Sequence, residues 1–214
     1  MERNKYVMQK KEKISLGFTS QQFEPGIHIC QIFNSDEERH DSLVNFIISG
    51  LNSGEKTACF SENESEQTLT DLFQSEGFNF VDLTDKGDFS ISSTKMAYFE
   101  NNKFEPERML NLLKDFYKSS EQEKHNGARV IGEMTPDIEH VDGGSRLLEY
   151  ESKITLLLRE YPINAVCQYD ARAFDGSTIF EVLKVHPYMI VRGKVVHNPF
   201  FEQPEDYLAK HNCC

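Results

Sequence analysis

Residues 27–33 read IHICQIF, and residues 34–50 read NSDEERHDSLVNFIISG; together these two strings decide the fold. The first is an almost continuous apolar run of strand length, typical of a strand covered on both faces. Ser35, with Glu38 three residues later, is a capping box that predicts the start of a helix. Apolar residues then recur on one helical face, at Leu43, Val44, Phe46, Ile47, Ile48 and Leu51.

Strand and helix patterns alternate along the rest of the chain. Strands are predicted at KTACF (56–60), RVIGEM (129–134) and INAVCQYD (163–170), at FVDL from Phe80 and FSIS from Phe89, and as a terminal hairpin over 188–198 that turns at Arg192 and Gly193. Helices are predicted around Leu69 to Phe73, from Pro106, over 145–160 and over 176–185. This order predicts a mostly parallel α/β sheet with helices on both faces and antiparallel strands at one edge.

The domain boundaries follow from polarity. We predict one domain over 25–202, a flexible polar arm over 1–24 and a C-terminal tail over 203–214. The whole chain has a net charge of −12. Residues 1–13 carry a net charge of +3, so the other 201 residues carry a net charge of −15. Such an acidic body repels nucleic-acid phosphates, and we therefore expect no direct nucleic-acid binding.

The five cysteines and the absence of long apolar runs indicate the compartment. Cys30, Cys59 and Cys167 lie inside apolar strings, no CxxC occurs, and the count is odd, so we expect reduced thiols in a cytoplasmic protein. The pair Cys213 and Cys214 is interpreted as a frayed end, with a redox or metal-binding pair as the alternative. No apolar run is long enough to span a bilayer, and no secretory signal is predicted.

The candidate site lies where parallel strands end. In such sheets, ligands bind at the carboxyl ends of the strands. The strand ends here carry Asn34 and Ser35, then Glu62, Glu133 and the pair Tyr169 and Asp170. We expect these residues to converge, although they lie far apart in sequence.

Nucleotide and metal motifs fit poorly. The string from Gly50 to Thr57 has Glu55 where a phosphate-binding P-loop has its second glycine, and it stands between a helix and a strand, the reverse of the required order. The correct junction, residues 34–39, has no glycine or lysine and three consecutive acids. His28, Cys30, Cys59 and Cys167 leave a zinc or haem site conceivable, but a core histidine beside inert thiols is favoured. No catalytic residues, metal or cofactor are therefore predicted.

The strings HICQIFNSDEE (28–38) and FIISGLNSGE (46–55), followed in order by RVIGEM (129–134) and CQYD (167–170), resemble the MEDS domain, the sensory domain named for methanogens, methylotrophs and the DcmR repressor. The resemblance extends over about residues 25–202. It implies a three-layer α/β/α RecA-like fold, related to the KaiC ATPase core, that has lost its phosphate loop. Glu62 matches the first of two paired KaiC glutamates, Asn63 replaces the second, and Glu133 matches the acidic end of the Walker B strand.

These features lead to a functional hypothesis. We expect a non-catalytic, cytoplasmic sensor of a small organic compound that acts in signal transduction or transcription regulation through a protein partner or as a homodimer, with no helix-turn-helix of its own. His28 and Tyr169 are predicted to donate hydrogen bonds to the ligand, Glu62, Glu133 and Asp170 to accept them, and Arg172 to pair with an anionic group. The alternatives are a residual nucleotide-binding or hydrolysing protein, and an interaction module with an acidic surface.

Overall fold

A computed structural model describes residues 12–211 of the chain. Within this range the strands are β1 (Ile14–Ser15), β2 (Gln22–Phe23), β3 (His28–Phe33), β4 (Lys56–Phe60), β5 (Phe89–Ser92), β6 (Phe99–Glu100), β7 (Lys103–Phe104), β8 (Ala128–Glu133), β9 (Ile163–Asp170), β10 (Tyr188–Val191) and β11 (Lys194–His197).

The helices of the described range connect these strands. They are α1 (Asp36–Asn52), α2 (Glu66–Ser75), α3 (Phe80–Lys86), α4 (Thr94–Tyr98), α5 (Pro106–Gln122), α6 (Leu147–Glu160), α7 (Gly176–Val185) and α8 (Pro204–Lys210). Two short 3₁₀ turns, Pro136–His140 and Gly144–Arg146, precede α6.

Seven strands form the central sheet in the order β11-β10-β3-β9-β8-β4-β5. All neighbouring pairs are parallel except β10 and β11, which form the predicted hairpin at the edge. Arg192 and Gly193 both have positive φ, as a two-residue hairpin turn requires. The predicted sheet is therefore confirmed, with one antiparallel edge strand.

Helices cover both faces of the sheet. Because side chains alternate along a strand, Ile29 and Cys30 of β3 belong to different cores. One core packs the sheet against α1, α2 and α3, and the other packs it against α5, α6 and α7. This is the three-layer α/β/α arrangement that the alternating pattern predicts.

Local signals determine where helices begin. Ser35 Oγ accepts a hydrogen bond from the Glu38 amide at 3.1 Å, so Ser35 is the N-cap of α1 as predicted. Pro106 occupies the first turn of α5. The predicted strand FVDL is wrong, because these residues begin α3, which is capped by Asn79 and ended by left-handed Gly87.

Part of the predicted arm is folded. Residues 14–15 pair with residues 22–23, and Leu16 between them is completely buried against the α1 face of the sheet. The segment is further held by Arg129, the fully buried second residue of β8, which donates to the Ser15 carbonyl at 3.1 Å. Residues 12–24 thus belong to the folded body, and residues 1–11 lie outside the described range.

Arg129 fixes the amino edge of the sheet. Its Nε lies 2.6 Å from Glu55 Oε2, and one terminal nitrogen donates to the Phe46 carbonyl at 2.7 Å. A Cβ on Gly50 would lie 2.4 Å from Arg129 Cδ, so glycine is needed for α1 to pass this side chain. The string that superficially resembles a P-loop therefore has a packing role at the edge opposite the predicted site.

The C-terminal tail also departs from the prediction. Residues 204–210 form α8, whose Tyr207 and Leu208 are buried. Glu205 of α8 forms an ion pair with Arg159 of α6. Cys213 and Cys214 lie outside the described residues. None of the described helices combines the length and apolar character that a membrane crossing needs.

Candidate functional site

The carboxyl ends of β3, β9, β8 and β4 lie side by side because these four strands are neighbours in the sheet. Glu133 ends β8, and its carboxylate is buried. It accepts hydrogen bonds from Ser61 Oγ at 2.7 Å and from Asn63 Nδ2 at 2.8 Å. The segment after β4 and the end of β8 therefore meet at Glu133, as the sequence predicts.

A cation from α1 completes this cluster. Arg39 lies one turn into the helix and forms an ion pair with Glu133. Its other terminal nitrogen lies 2.8 Å from Glu64 Oε1. The same Glu64 oxygen lies 2.9 Å from His40 Nδ1. The Arg39 and Glu64 side chains are only 6% and 2% exposed. We call Arg39, Ser61, Asn63, Glu64 and Glu133 the edge cluster.

The edge cluster stands where a P-loop fold would hold phosphate, between the first parallel strand and its helix. Two carboxylates already neutralise its one arginine. The first turn of α1 adds Asp36, Glu37 and Glu38, which favour the helix dipole but repel phosphate. The local charge therefore disfavours a nucleotide.

Asp170 and Arg172 form the rim of the same edge. Arg172 donates to Asp170 at 2.8 and 2.9 Å and reaches Asp36 at 2.6 Å. These hydrogen bonds lower the pKa of Asp170 despite partial burial. Arg172 is half exposed, so solvent reaches its guanidinium, although Asp170 and Asp36 already pair with it.

The other predicted edge residues have local roles. Asn34 is exposed, and Ser35 caps α1. Glu62 is exposed and accepts the Lys95 amide at 2.7 Å, at the start of α4. It thus lies at this edge without joining the edge cluster.

His28 and Tyr169 do not lie in the predicted crevice. His28 begins β3, at the end of the strand opposite to Asn34, and is 1% exposed. Tyr169 is completely buried and donates its hydroxyl to Glu151 of α6 at 2.5 Å. The strand geometry explains the error, because Tyr169 points into the α6 layer while its neighbour Asp170 reaches the edge.

His28 instead belongs to a second polar group, formed with Glu151, Cys167 and His186 and called here the buried histidine cluster. All four residues are buried, and one ligand atom from each lies within 4.8 Å of the other three. Burial, reinforced by His186, lowers the pKa of His28 to about 4. Burial also raises the pKa of the Cys167 thiol, with the Glu151 charge adding to it.

Two opposing effects act on the pKa of Glu151. Burial raises its pKa, but the adjacent His186 and His28 more than offset that effect, so the pKa lies below its usual range. Cys30, which the sequence grouped with His28, lies beside Cys167 on the neighbouring strand but outside the four-residue cluster, and Cys59 is a buried thiol of the other core. Burial raises the pKa of Cys30 to about 12, as expected for an inert thiol.

Arg39, Glu64 and Glu151 are among the cluster residues that the predicted site did not include. Two of them carried a readable signal. Arg39 stands four residues before Leu43, and Glu151 stands three before Ile154, so each charged side chain falls on the apolar face of its helix. Glu64, in a loop, carried no such signal.

Two cavities border other parts of the fold. One of about 740 Å³ lies at the amino edge, between the β1 segment and residues 125–127. Another of about 620 Å³ lies beside the first turns of α1 and the hairpin turn at Arg192 and Gly193, with Ser35 in its lining. The second cavity therefore adjoins the predicted edge.

Comparison with known proteins agrees with this geometry. Residues 27–187 match the family described as MEDS, the MEthanogen/methylotroph, DcmR Sensory domain. The chain belongs to the MEDS family. This match runs from β3 to just beyond the end of α7. It therefore includes every residue of the edge cluster and of the buried histidine cluster.

Solved structures resemble this MEDS chain in fold. A KaiC-like protein from the hyperthermophilic archaeon Pyrococcus horikoshii shares 14% identity over 83% of this chain and 79% of its own, with a TM-score of 0.54. The flagellar accessory protein FlaH from Methanocaldococcus jannaschii shares 10% identity over 86% and 83%, with a TM-score of 0.57. These likenesses support the RecA-like fold. No curated protein matches the sequence.

Proposed function

We propose that this MEDS chain is a non-catalytic, cytoplasmic regulatory domain that senses a small organic compound. The family is named as a sensory domain, and the fold resembles KaiC-like proteins. The observation that carries the proposal is the ion pair of Arg39 with Glu133 and Glu64 at the strand-to-helix junction. This ion pair stands where a P-loop fold holds phosphate, and its arginine is already neutralised by two carboxylates.

The proposed ligand site is the rim beside this cluster. Asp170 and Arg172 offer an acceptor and a donor that reach solvent, and Asn34 and Glu62 add exposed polar groups. A small polar compound fits such a rim, with Glu133 and Ser35 behind it, whereas an anion would have to compete with Asp170 and Asp36 for Arg172. His28 and Tyr169 lie too deep to touch this ligand.

The output requires a second macromolecule. Ligand binding shifts a population only if the two states bind it differently. We propose that ligand binding at Arg172 disrupts its existing ion pair with Asp36 and so changes the start of α1, which a protein partner or a second copy reads. The strongly acidic body disfavours nucleic acid as that partner.

A residual nucleotide-binding or hydrolysing activity is the second candidate. The observation in its favour is Glu133, an acid at the end of a central strand of a RecA-like sheet, held by Ser61 and Asn63. The edge cluster opposes it, because a phosphate would have to separate Arg39 from its carboxylates.

A thermal-shift screen of short-chain alcohols, amines, organic acids and halocarbons tests the sensor proposal. A ligand at one hundred times its Kd stabilises by about 2.7 kcal/mol, and each kcal/mol raises the Tm of a chain this size by about 2–4 °C. We expect at least one compound to raise the Tm of the wild-type chain, and we expect this rise to be smaller in the variants Asp170→Asn and Arg172→Ala. Arg159→Ala, which breaks a remote exposed ion pair, is the matched control. A screen without any stabilising compound contradicts the proposal.

A further inference from the structure

The buried histidine cluster has the composition of a metal site. It brings two imidazoles, one thiol and one carboxylate together from β3, α6, β9 and the residue after α7. Imidazole, thiolate and carboxylate are all zinc ligands, and structural zinc sites use four protein ligands. We propose that His28, Glu151, Cys167 and His186 bind a divalent transition-metal ion, with Zn²⁺ the best match.

The ring nitrogens face the right way. His186 Nδ1 lies 2.8 Å from the Val182 carbonyl, which can only accept, so Nδ1 carries the proton. The lone pair of a neutral His186 is therefore on Nε2, which is buried, receives no hydrogen bond from the described residues and faces the Glu151 carboxylate at 3.3 Å. A lone pair without a donor in the protein interior is a costly arrangement that a cation would relieve.

His28 has the same orientation by another route. Thr155 Oγ1 donates to the Val185 carbonyl at 3.4 Å and so accepts from His28 Nδ1 at 2.9 Å. This leaves the lone pair of His28 on Nε2 as well. Hydrogen bonds to the non-ligating nitrogen are the usual outer support of a metal-bound histidine.

Four of the six distances between the donor atoms fit tetrahedral coordination, and the other two are at most 4.8 Å. Zinc bonds of about 2.0–2.3 Å place neighbouring ligand atoms about 3.3–3.8 Å apart in a tetrahedron. Glu151 Oε2 lies 3.3 Å from Nε2 of His28 and 3.3 Å from Nε2 of His186. Cys167 Sγ lies 3.5 Å from His28 Nε2 and 3.6 Å from Glu151 Oε2.

Charge balance supports the same assignment. A Cys167 thiolate and the Glu151 carboxylate together carry two negative charges, which one divalent ion neutralises inside the core. Tyr169 donates to the remaining Glu151 oxygen at 2.5 Å, so that oxygen is satisfied without the ion. All four ligands are protein side chains in the interior, and the ion is therefore structural, separate from the proposed ligand rim.

The competing arrangement is a proton-linked His28, Glu151 and His186 network without metal. Cobalt(II) distinguishes the two, because a tetrahedral site with a thiolate gives intense visible bands and a sulfur-to-metal charge-transfer band. The probes are zinc content by elemental analysis of the purified full chain and cobalt uptake after metal removal. We expect stoichiometric zinc, the cobalt bands, and a fall in Tm on metal removal that added Zn²⁺ reverses.

Variants locate the site. Cys167→Ser removes the charge-transfer band, and His186→Gln lowers zinc content at least tenfold. Cys59→Ser and His197→Gln are matched controls, since Cys59 is a buried thiol of the other core and His197 is exposed. The cobalt spectrum of the wild-type chain tests the proposal even if one of the variants fails to fold. Wild-type protein that contains no zinc and takes up no cobalt overturns the proposal, as does Cys167→Ser with an unchanged spectrum.

Discussion

Arg39 of α1 forms a buried ion pair with Glu133 at the end of β8. The two residues are 94 positions apart and come from elements that meet only in the folded sheet. In a phosphate-binding fold this junction presents backbone amides and a free lysine to the ligand. Here the cation is held by protein carboxylates, and this replacement is the basis of the sensor proposal.

Arg39→Met tests the energetic weight of that pair. Removing the guanidinium leaves two buried carboxylates without the arginine that they share, so we expect a loss of about 3–5 kcal/mol in the free energy of unfolding. Urea denaturation measures it. Arg172→Ala, which breaks exposed pairs, should cost only about 0–1 kcal/mol. Adding Glu133→Gln to Arg39→Met should recover part of the loss, and strict additivity would show that the two side chains are not coupled.

Gly50→Ala tests the close passage of α1 over Arg129. On an open helix surface this change stabilises by about 1 kcal/mol. Here the new Cβ would lie 2.4 Å from Arg129 Cδ and 2.8 Å from Thr57 Oγ1, so we expect destabilisation of about 1–3 kcal/mol by urea denaturation. Gly176→Ala is the control, because its Cβ meets nothing within 4 Å. Equal stability of the two variants would contradict the packing described here.

Leu16→Ala tests whether the segment before β3 belongs to the folded body. Leu16 is fully buried, so truncation should lower the free energy of unfolding by about 2–5 kcal/mol. The control is Leu112→Ala, since Leu112 is 47% exposed. A small effect at Leu16, similar to that at Leu112, would support the flexible arm that polarity alone predicts.

Arg146→Ala tests the ion network between α5 and α6. The hydrogen bond from Arg146 holds the pKa of Glu107 at about 2, below its ordinary value of 4.5. A folded pKa below the unfolded one adds stability above about pH 4.5, and this contribution is lost as the pH falls toward 2. Because Glu107 is 56% exposed, the effect on stability is small.

Carboxyl NMR titration therefore measures this prediction best. In Arg146→Ala we expect the pKa of Glu107 to rise toward 4.5. Arg159→Ala, which removes the partner of Glu205, should leave Glu107 unchanged. An unshifted Glu107 in Arg146→Ala would mean that the network does not form in solution.

The sequence predicts the sheet well because its strands are long, buried and separated by amphipathic helices. IHICQIF and INAVCQYD carry enough apolar residues to decide strand against helix, and the Ser35 cap marks the next helix. FVDL is too short for its periodicity to decide. The Asn79 cap and Gly87 after it were the better signals of a helix.

The site is predicted only in part. Chain order places Glu133 and Asp170 at one edge, because parallel strands end together. It does not show that Arg39 and Glu64 neutralise each other there, since that pairing depends on how α1 and the loop after β4 pack. Strand position alone also does not reveal which way Tyr169 points. Its hydroxyl donates to Glu151, which lies on α6, on the opposite side of the sheet from α1.

Calorimetric titration of the wild-type chain with ATP and magnesium tests the central claim most directly. The neutralised junction at Arg39 predicts no saturable binding at sub-millimolar ATP. Sub-millimolar affinity that Glu133→Gln abolishes would contradict the account and establish the chain as a nucleotide-binding protein.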